Sequence, residues 1–143
     1  VIVLDTNVVS ELMRQVPDDG VVRWVDRYSA EDVFITAVTA AELAHGVARL
    51  PEGRRKTILA ARISDLLAED FRDQILPFDS VAADYCGEIA ATREANGHPI
   101  GMAAAQTAAI CRRYVACLVT RNIKDFVDTG IKVLNPWDDA PEL

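Results

Sequence analysis

Short apolar runs alternate with longer amphipathic stretches along this chain, and that alternation gives the first picture of its fold. Val1-Ile2-Val3-Leu4 contains no polar residue, which predicts a short strand buried on both faces. The run stops at Asp5, and Thr6 and Asn7 offer caps for a helix from Val8 to Met13. Pro17-Asp18-Asp19-Gly20 reads as a turn, after which Val21, Val22 and Val25 share a helical face. Val33-Phe34-Ile35-Thr36 is a second buried strand. Thr39 has Glu42 three residues later, the spacing of a capping box, and opens a helix that Pro51 closes. A long helix from Glu52 to Asp70 carries Ile58, Leu59, Ile63, Leu66 and Leu67 on one stripe. Gln74 to Phe78 is a short third strand, and Asp79 or Ser80 caps a helix reaching Ala95. After Asn96-Gly97 comes an alanine-rich helix from Met102 to Arg113. Val115 to Thr120 is a fourth strand and Ile131 to Leu134 a fifth. Strands alternating with helices predict an α/β fold: a three-layer α/β/α domain around a mainly parallel, roughly five-stranded sheet.

Composition narrows the class. The chain has 143 residues, 50% of them hydrophobic, and no repeat or linker, so residues 1–143 read as one domain with a substantial core. No apolar run reaches the ~18 residues of a membrane span and no secretory signal is visible, so a cytoplasmic protein with no membrane partner is expected. Cys86, Cys111 and Cys117 lack the CxxC spacing of a zinc site and read as buried free thiols. The net charge of −7 is unusual for a protein that binds nucleic acid through bulk charge. Either nucleic acid is not the substrate, or a local patch and metal ions offset the acidity, or a basic partner exists.

The polar residues at the strand ends carry the chemistry. Asp5 follows the first strand; alone it reads as no more than a helix cap. Glu42 lies in the first turn of the helix after the second strand. Asn122 and Asp125 follow the fourth. In open α/β sheets ligands bind at the carboxyl edge, where these residues converge. Carboxylates meeting there form an oxygen-rich site suited to Mg²⁺ or Mn²⁺, ions that polarise a phosphodiester and activate water.

Five landmarks in order resemble one family. They are Leu4-Asp5-Thr6-Asn7, Thr39-Ala40-Ala41-Glu42-Leu43, Pro99-Ile100-Gly101 leading into an alanine helix, Thr120-Arg121-Asn122 through Asp125-Phe126, and Asn135-Pro136-Trp137. Together they resemble the PIN-domain toxins, and among those the VapC/FitB type of bacterial toxin–antitoxin systems. The resemblance implies an α/β/α fold and a Mg²⁺- or Mn²⁺-dependent endoribonuclease cutting RNA, often tRNA or rRNA. It also implies a homodimer, held inactive by an antitoxin with a DNA-binding domain. Asp5 and Glu42 match the first two metal-site acids, Asn122 and Asp125 the polar pair after the fourth strand, and Thr6 the hydroxyl residue beside the first acid.

The chain departs from that pattern at one place. After Pro-Ile-Gly the family usually has two residues and then a metal-binding Asp; here that position is Ala104. Ala104 is either a substitution made to silence a toxic enzyme or a natural variant with weakened catalysis. The otherwise intact motif favours the first. Even a group behind the metal ligands is typically worth ~10–100-fold in affinity or activity, and a direct ligand at least that. Losing an acid also relieves like-charge crowding, and Ala is the best helix former, so a well-folded and nearly inactive protein is expected. The alternative function is a catalytically inactive interaction protein or co-repressor that binds a DNA-binding antitoxin.

Other patterns are weaker. Glu42-Leu43-Ala44-His45 has the Glu-x-x-His spacing of di-iron bundles but lacks the second motif that site needs. No Cys-His pair, Gly-x-Ser-x-Gly turn or Gly-rich phosphate loop appears. Arg49, Arg54, Arg55 and Lys56 cluster at one helix junction, and Arg112 with Arg113 near another helix end; either set reads as an RNA-phosphate contact or a solvated face. Arg121, inside the Thr-Arg-Asn run, is the candidate for substrate binding. The first two helices and the Ile58/Leu66 helix carry enough apolar residues to spare some for a groove that takes a partner helix.

Overall fold

The computed structural model describes residues 1–138. Its strands are β1 (Ile2–Leu4), β2 (Val33–Thr36), β3 (Ile75–Leu76), β4 (Cys117–Val119) and β5 (Val133–Leu134). Every pairing is parallel, in the order β3-β2-β1-β4-β5. Six α-helices surround them: α1 (Thr6–Leu12), α2 (Asp19–Val25), α3 (Ala37–Ala48), α4 (Arg54–Asp65), α5 (Ser80–Ala95) and α6 (Met102–Tyr114). No described helix is long and apolar enough to cross a membrane.

The central strand explains the three layers. β1 is flanked on both edges, so alternate side chains face opposite cores. Ile2 and Leu4 join Val8, Val21, Trp24 and Leu43 beneath α1 to α4. Val3 instead joins Ile89, Ala108, Ile110 and Leu118 beneath α5 and α6. Burying one such aliphatic side chain stabilises the fold by about 1.5–3 kcal/mol. Small residues Ala105, Ala108 and Ala109 keep α6 close to the sheet, and each is fully buried or nearly so.

Topology places the site. From β1 the chain steps outward to β2 and β3, then crosses back to add β4 and β5 on the other side of β1. The carboxyl ends of β1 and β4 therefore flank the switch point, where an open α/β sheet leaves a crevice.

Several boundaries differ from the sequence reading, three of them for evident reasons. The long helix expected to reach Asp70 ends at Asp65 and continues as a π-helical turn, Leu66–Asp70. β4 begins at Cys117, not Val115, because Val115 takes a left-handed conformation (φ 52°, ψ 45°) and caps α6. β3 keeps only two residues, since Pro77 has no N–H to pair with its neighbour.

Candidate active site

The residue that ends β1 also starts α1. The Asp5 carboxylate accepts the Thr6 N–H at 2.9 Å, and the Asp5 N–H pairs with the Val119 carbonyl of β4 at 2.9 Å. Asp5, rather than Thr6 or Asn7, is thus the helix cap, which leaves both neighbours free for other bonds. The second Asp5 oxygen accepts the Thr120 hydroxyl at 2.8 Å. That hydroxyl in turn accepts the Asn7 amide and the Asn122 N–H, each at 3.1 Å, which uses both its lone pairs. Asn7 completes the lacing by accepting the Arg121 N–H at 3.1 Å.

Glu42 arrives from α3. Thr36, fully buried, caps that helix by accepting the Thr39 N–H at 3.2 Å. The expected Thr39–Glu42 capping box does not form: the helix starts at Ala37, and Glu42 lies in its second turn. Thr39 does something else. The Thr6 hydroxyl donates to Glu42 Oε1 at 2.6 Å, and the Thr39 hydroxyl stands 2.9 Å from it on the other side.

The opposite wall comes from two late segments. Asn122 precedes a 3₁₀ turn, Ile123–Phe126, whose buried Phe126 anchors Asp125 at the rim. Ala104 is the third residue of α6, and with Ala103 and Thr107 it lines the same cleft. Asp5, Thr6, Glu42, Ala104, Asn122 and Asp125 together border a hollow of about 410 Å³. A larger hollow of about 590 Å³ opens beside Ile2 and Cys117, at the opposite end of the strands, and shares no residue with it. Arg121 does not line the cleft; its guanidinium lies over the Trp137 ring, 4.7 Å from the centroid.

The PIN domain family model matches residues 2–132. The chain belongs to the PIN-domain family, among the VapC/FitB toxins. The chain is 37% identical over 138 residues to Toxin FitB of Neisseria gonorrhoeae, covering 96% of this chain and 99% of that protein. It is 35% identical over 139 residues to VapC ribonuclease Y4jK of Sinorhizobium fredii, covering 97% and 99%. Among solved structures, that of FitAB bound to an IR36 DNA fragment matches it with a TM-score of 0.92 at 34% identity, covering all of both chains.

Charge in this PIN domain is poorly balanced at the cleft. Burial raises the Asp5 pKa above its ordinary 3.8, and the charges of Glu42 and Asp125 push it further, against the bonds from Thr120 and Thr6. Among the described residues no ion pair reaches Asp5, Glu42 or Asp125. Unpaired carboxylates that repel one another suit a hard cation with oxygen ligands. The number of ligands is small, however: no three His, Cys, Asp or Glu side chains among the described residues stand close enough to enclose an ion. One or two of these carboxylates could hold such a cation directly, with water completing its shell.

Sequence reading overlooked Arg93. This nearly buried arginine donates to the His98 carbonyl at 2.7 Å and to the Asp125 and Val127 carbonyls at 2.8 and 3.0 Å. It thereby ties the segment leading into α6 to the turn that carries Asp125. The available signal was its place on the α5 stripe of Ala82, Cys86 and Ile89, all core-facing. Arg93→Met should leave these carbonyls without a donor, lowering stability by roughly 2–4 kcal/mol in urea unfolding. It should also speed amide exchange in residues 122–129 more than in β1.

The Asp5 shift has a stability consequence. Its folded pKa lies above 3.8, so the ionised carboxylate disfavours the fold. That penalty is absent below 3.8 and grows as pH rises through the folded pKa. Asp5→Asn should therefore raise the urea midpoint at pH 7, with the gain fading as the pH falls through the folded pKa toward 3.8 and gone below it.

Proposed function

We propose that this PIN domain is the toxin of a type II toxin–antitoxin pair, built as a divalent-metal-dependent endoribonuclease. One observation carries the reading: three carboxylates without cationic partners face one cleft at the switch point of the sheet. Likeness to a VapC ribonuclease supports RNA as the substrate, with tRNA or rRNA the expected targets.

Asp5 and Glu42 would hold Mg²⁺ or Mn²⁺, with Asp125 and Asn122 reaching it through water. When bound, such an ion supplies charge neutralisation for the phosphodiester and a more acidic water. The chain's own residues prepare that place. Thr120 and the Thr6 N–H fix both Asp5 oxygens, so the carboxylate points one way before anything binds. The Thr6 hydroxyl holds Glu42, which is otherwise an exposed and rotatable side chain. Asn7 fixes the start of the Arg121–Asn122 segment against the same strand end.

Ala104 weakens this machinery. Its position on the first turn of α6 faces the cleft, where an aspartate would add a ligand and also meet the positive end of the helix dipole. Methyl in place of carboxylate leaves the ion one oxygen short. We read this chain as a silenced or strongly impaired member of an active family.

The partner side of the reading rests on a groove. Beside the cleft, sharing Thr6 and Glu42 with it, a hollow of about 440 Å³ runs between α1, α3 and α4. Leu43, Leu59 and Ile63 form its apolar floor and Arg14, Arg49 and Arg55 stand among its lining residues. An antitoxin segment laid there as an amphipathic helix with acidic flanks would cover the cleft. The FitAB structure that this chain resembles is bound to a DNA fragment, which supports a partner carrying the DNA-binding half. A homodimer completes the reading.

The Ala104 position also favours a second reading, a catalytically inactive partner that acts only through its antitoxin. A ribonuclease assay on this chain and on Ala104→Asp, with Mg²⁺ or Mn²⁺ and an EDTA control, separates the two. The enzyme reading expects EDTA-sensitive cleavage at least ~10–100-fold faster in Ala104→Asp. Inert protein in both forms, with antitoxin binding retained, would leave the interaction reading standing.

A further inference from the structure

Arg121, the substrate-binding candidate of the sequence, pairs with Trp137 rather than lining the cleft, and no role is yet assigned to that pair. The guanidinium sits 4.7 Å over the indole, and the indole packs on the core beneath α1 to α4. Both partners are fixed by their backbones. The Trp137 N–H is bound by Asn135 Oδ1 at 2.9 Å, and the Arg121 N–H by Asn7 at 3.1 Å. The Asn7 amide in turn lies 3.4 Å from Asp5 Oδ2, so the pair is anchored to the candidate metal acid itself. Arg121 is exposed, and among the described residues no carboxylate pairs with it. A planar guanidinium is thus held over an aromatic ring, with its backbone at the edge of the site proposed for phosphodiester chemistry.

Net charge decides what such a plane is for. A chain of net charge −7 repels a polyanion at long range, so any RNA it holds must be held by local contacts. Bases freed from pairing stack on arginine planes and aromatic rings, and this attraction does not depend on bulk charge. Asn122, the next residue in the chain, and Asn7, which accepts the Arg121 N–H, both line the cleft, so the Arg121 backbone lies at its edge.

We propose that Arg121, backed by Trp137, is a stacking platform for an unpaired base of the RNA substrate. This rests on the ribonuclease reading and narrows its substrate to RNA with an unpaired base near the cleft. The test is binding of a short fluorescent single-stranded RNA to the Ala104 chain, to Arg121→Lys and to Arg121→Ala, across a salt series. Lysine keeps the charge but has no plane. Stacking predicts that Arg121→Lys weakens binding by between about fivefold and a hundredfold while the salt slope stays that of the parent. It also predicts that one abasic position in the RNA costs the parent a similar factor and costs Arg121→Lys little.

Full affinity in Arg121→Lys, with a loss and a shallower salt slope only in Arg121→Ala, would make Arg121 a phosphate contact and overturn the platform. Equal binding by all three chains would overturn it too, leaving the RNA reading intact. No RNA binding by the parent would remove both. A loss of antitoxin binding in Arg121→Lys with RNA binding unchanged would assign the pair to the protein partner instead.

Discussion

A carboxylate sits at the end of the central strand, and most of the site follows from keeping it there. Val3 and Leu4 are buried to within 1% exposure, so the residue after them emerges at the edge of the core rather than in open water. Asp5 tolerates this place because each of its oxygens accepts a bond, one from the Thr6 N–H and one from the Thr120 hydroxyl. Those bonds start α1 and lock the end of β4 against β1. Thr120 then orders Asn122, and Asn7 orders Arg121. The dependence runs outward from one desolvated group: withdraw the Asp5 oxygens and the hydroxyl, the amide and the two backbone N–H groups around it lose their common reference.

Much of this was legible in the residues. β1, β2 and β4 are short, almost wholly apolar runs, which suit a parallel sheet covered on both faces. Once the strands are placed, Asp5, Asn122 and Asp125 fall at their carboxyl ends by counting alone. The helix caps were less legible because threonine serves strand and cap equally well. Thr36 ends β2 and caps α3 at once, which displaced the start read at Thr39. Arg93 escaped because its partners are carbonyls, which every residue carries and no sequence marks. The Arg121–Trp137 pair escaped for a related reason, since the two lie sixteen positions apart with β5 between them. Ala104 could be read only against the family pattern, for an alanine in an alanine-rich helix signals nothing by itself.

Acidity and function come into register at the cleft. Burial first, and then the charges of Glu42 and Asp125, raise the cost of ionising Asp5, and a divalent ion would turn that mutual repulsion into shared attraction. Arginines elsewhere do not take that role: Arg93 is occupied by carbonyls, Arg121 by an indole, and Arg14 by Glu11 at 3.3 Å. Among the described residues the three cleft acids stay unpaired while acids elsewhere are paired. On the proposed function, a substrate phosphate would approach such a site only with a cation between.

The central claim is that Asp5 and the position of Ala104 share one ion. Mn²⁺ binding, followed by electron paramagnetic resonance of the free ion, tests it without any RNA. Three proteins suffice: this chain, Ala104→Asp, and Ala104→Asp combined with Asp5→Asn. The account predicts that Ala104→Asp binds Mn²⁺ at least ~10–100-fold more tightly than this chain, and that adding Asp5→Asn abolishes the gain. Equal affinity in all three would contradict it, because the ion would then be held by groups other than these.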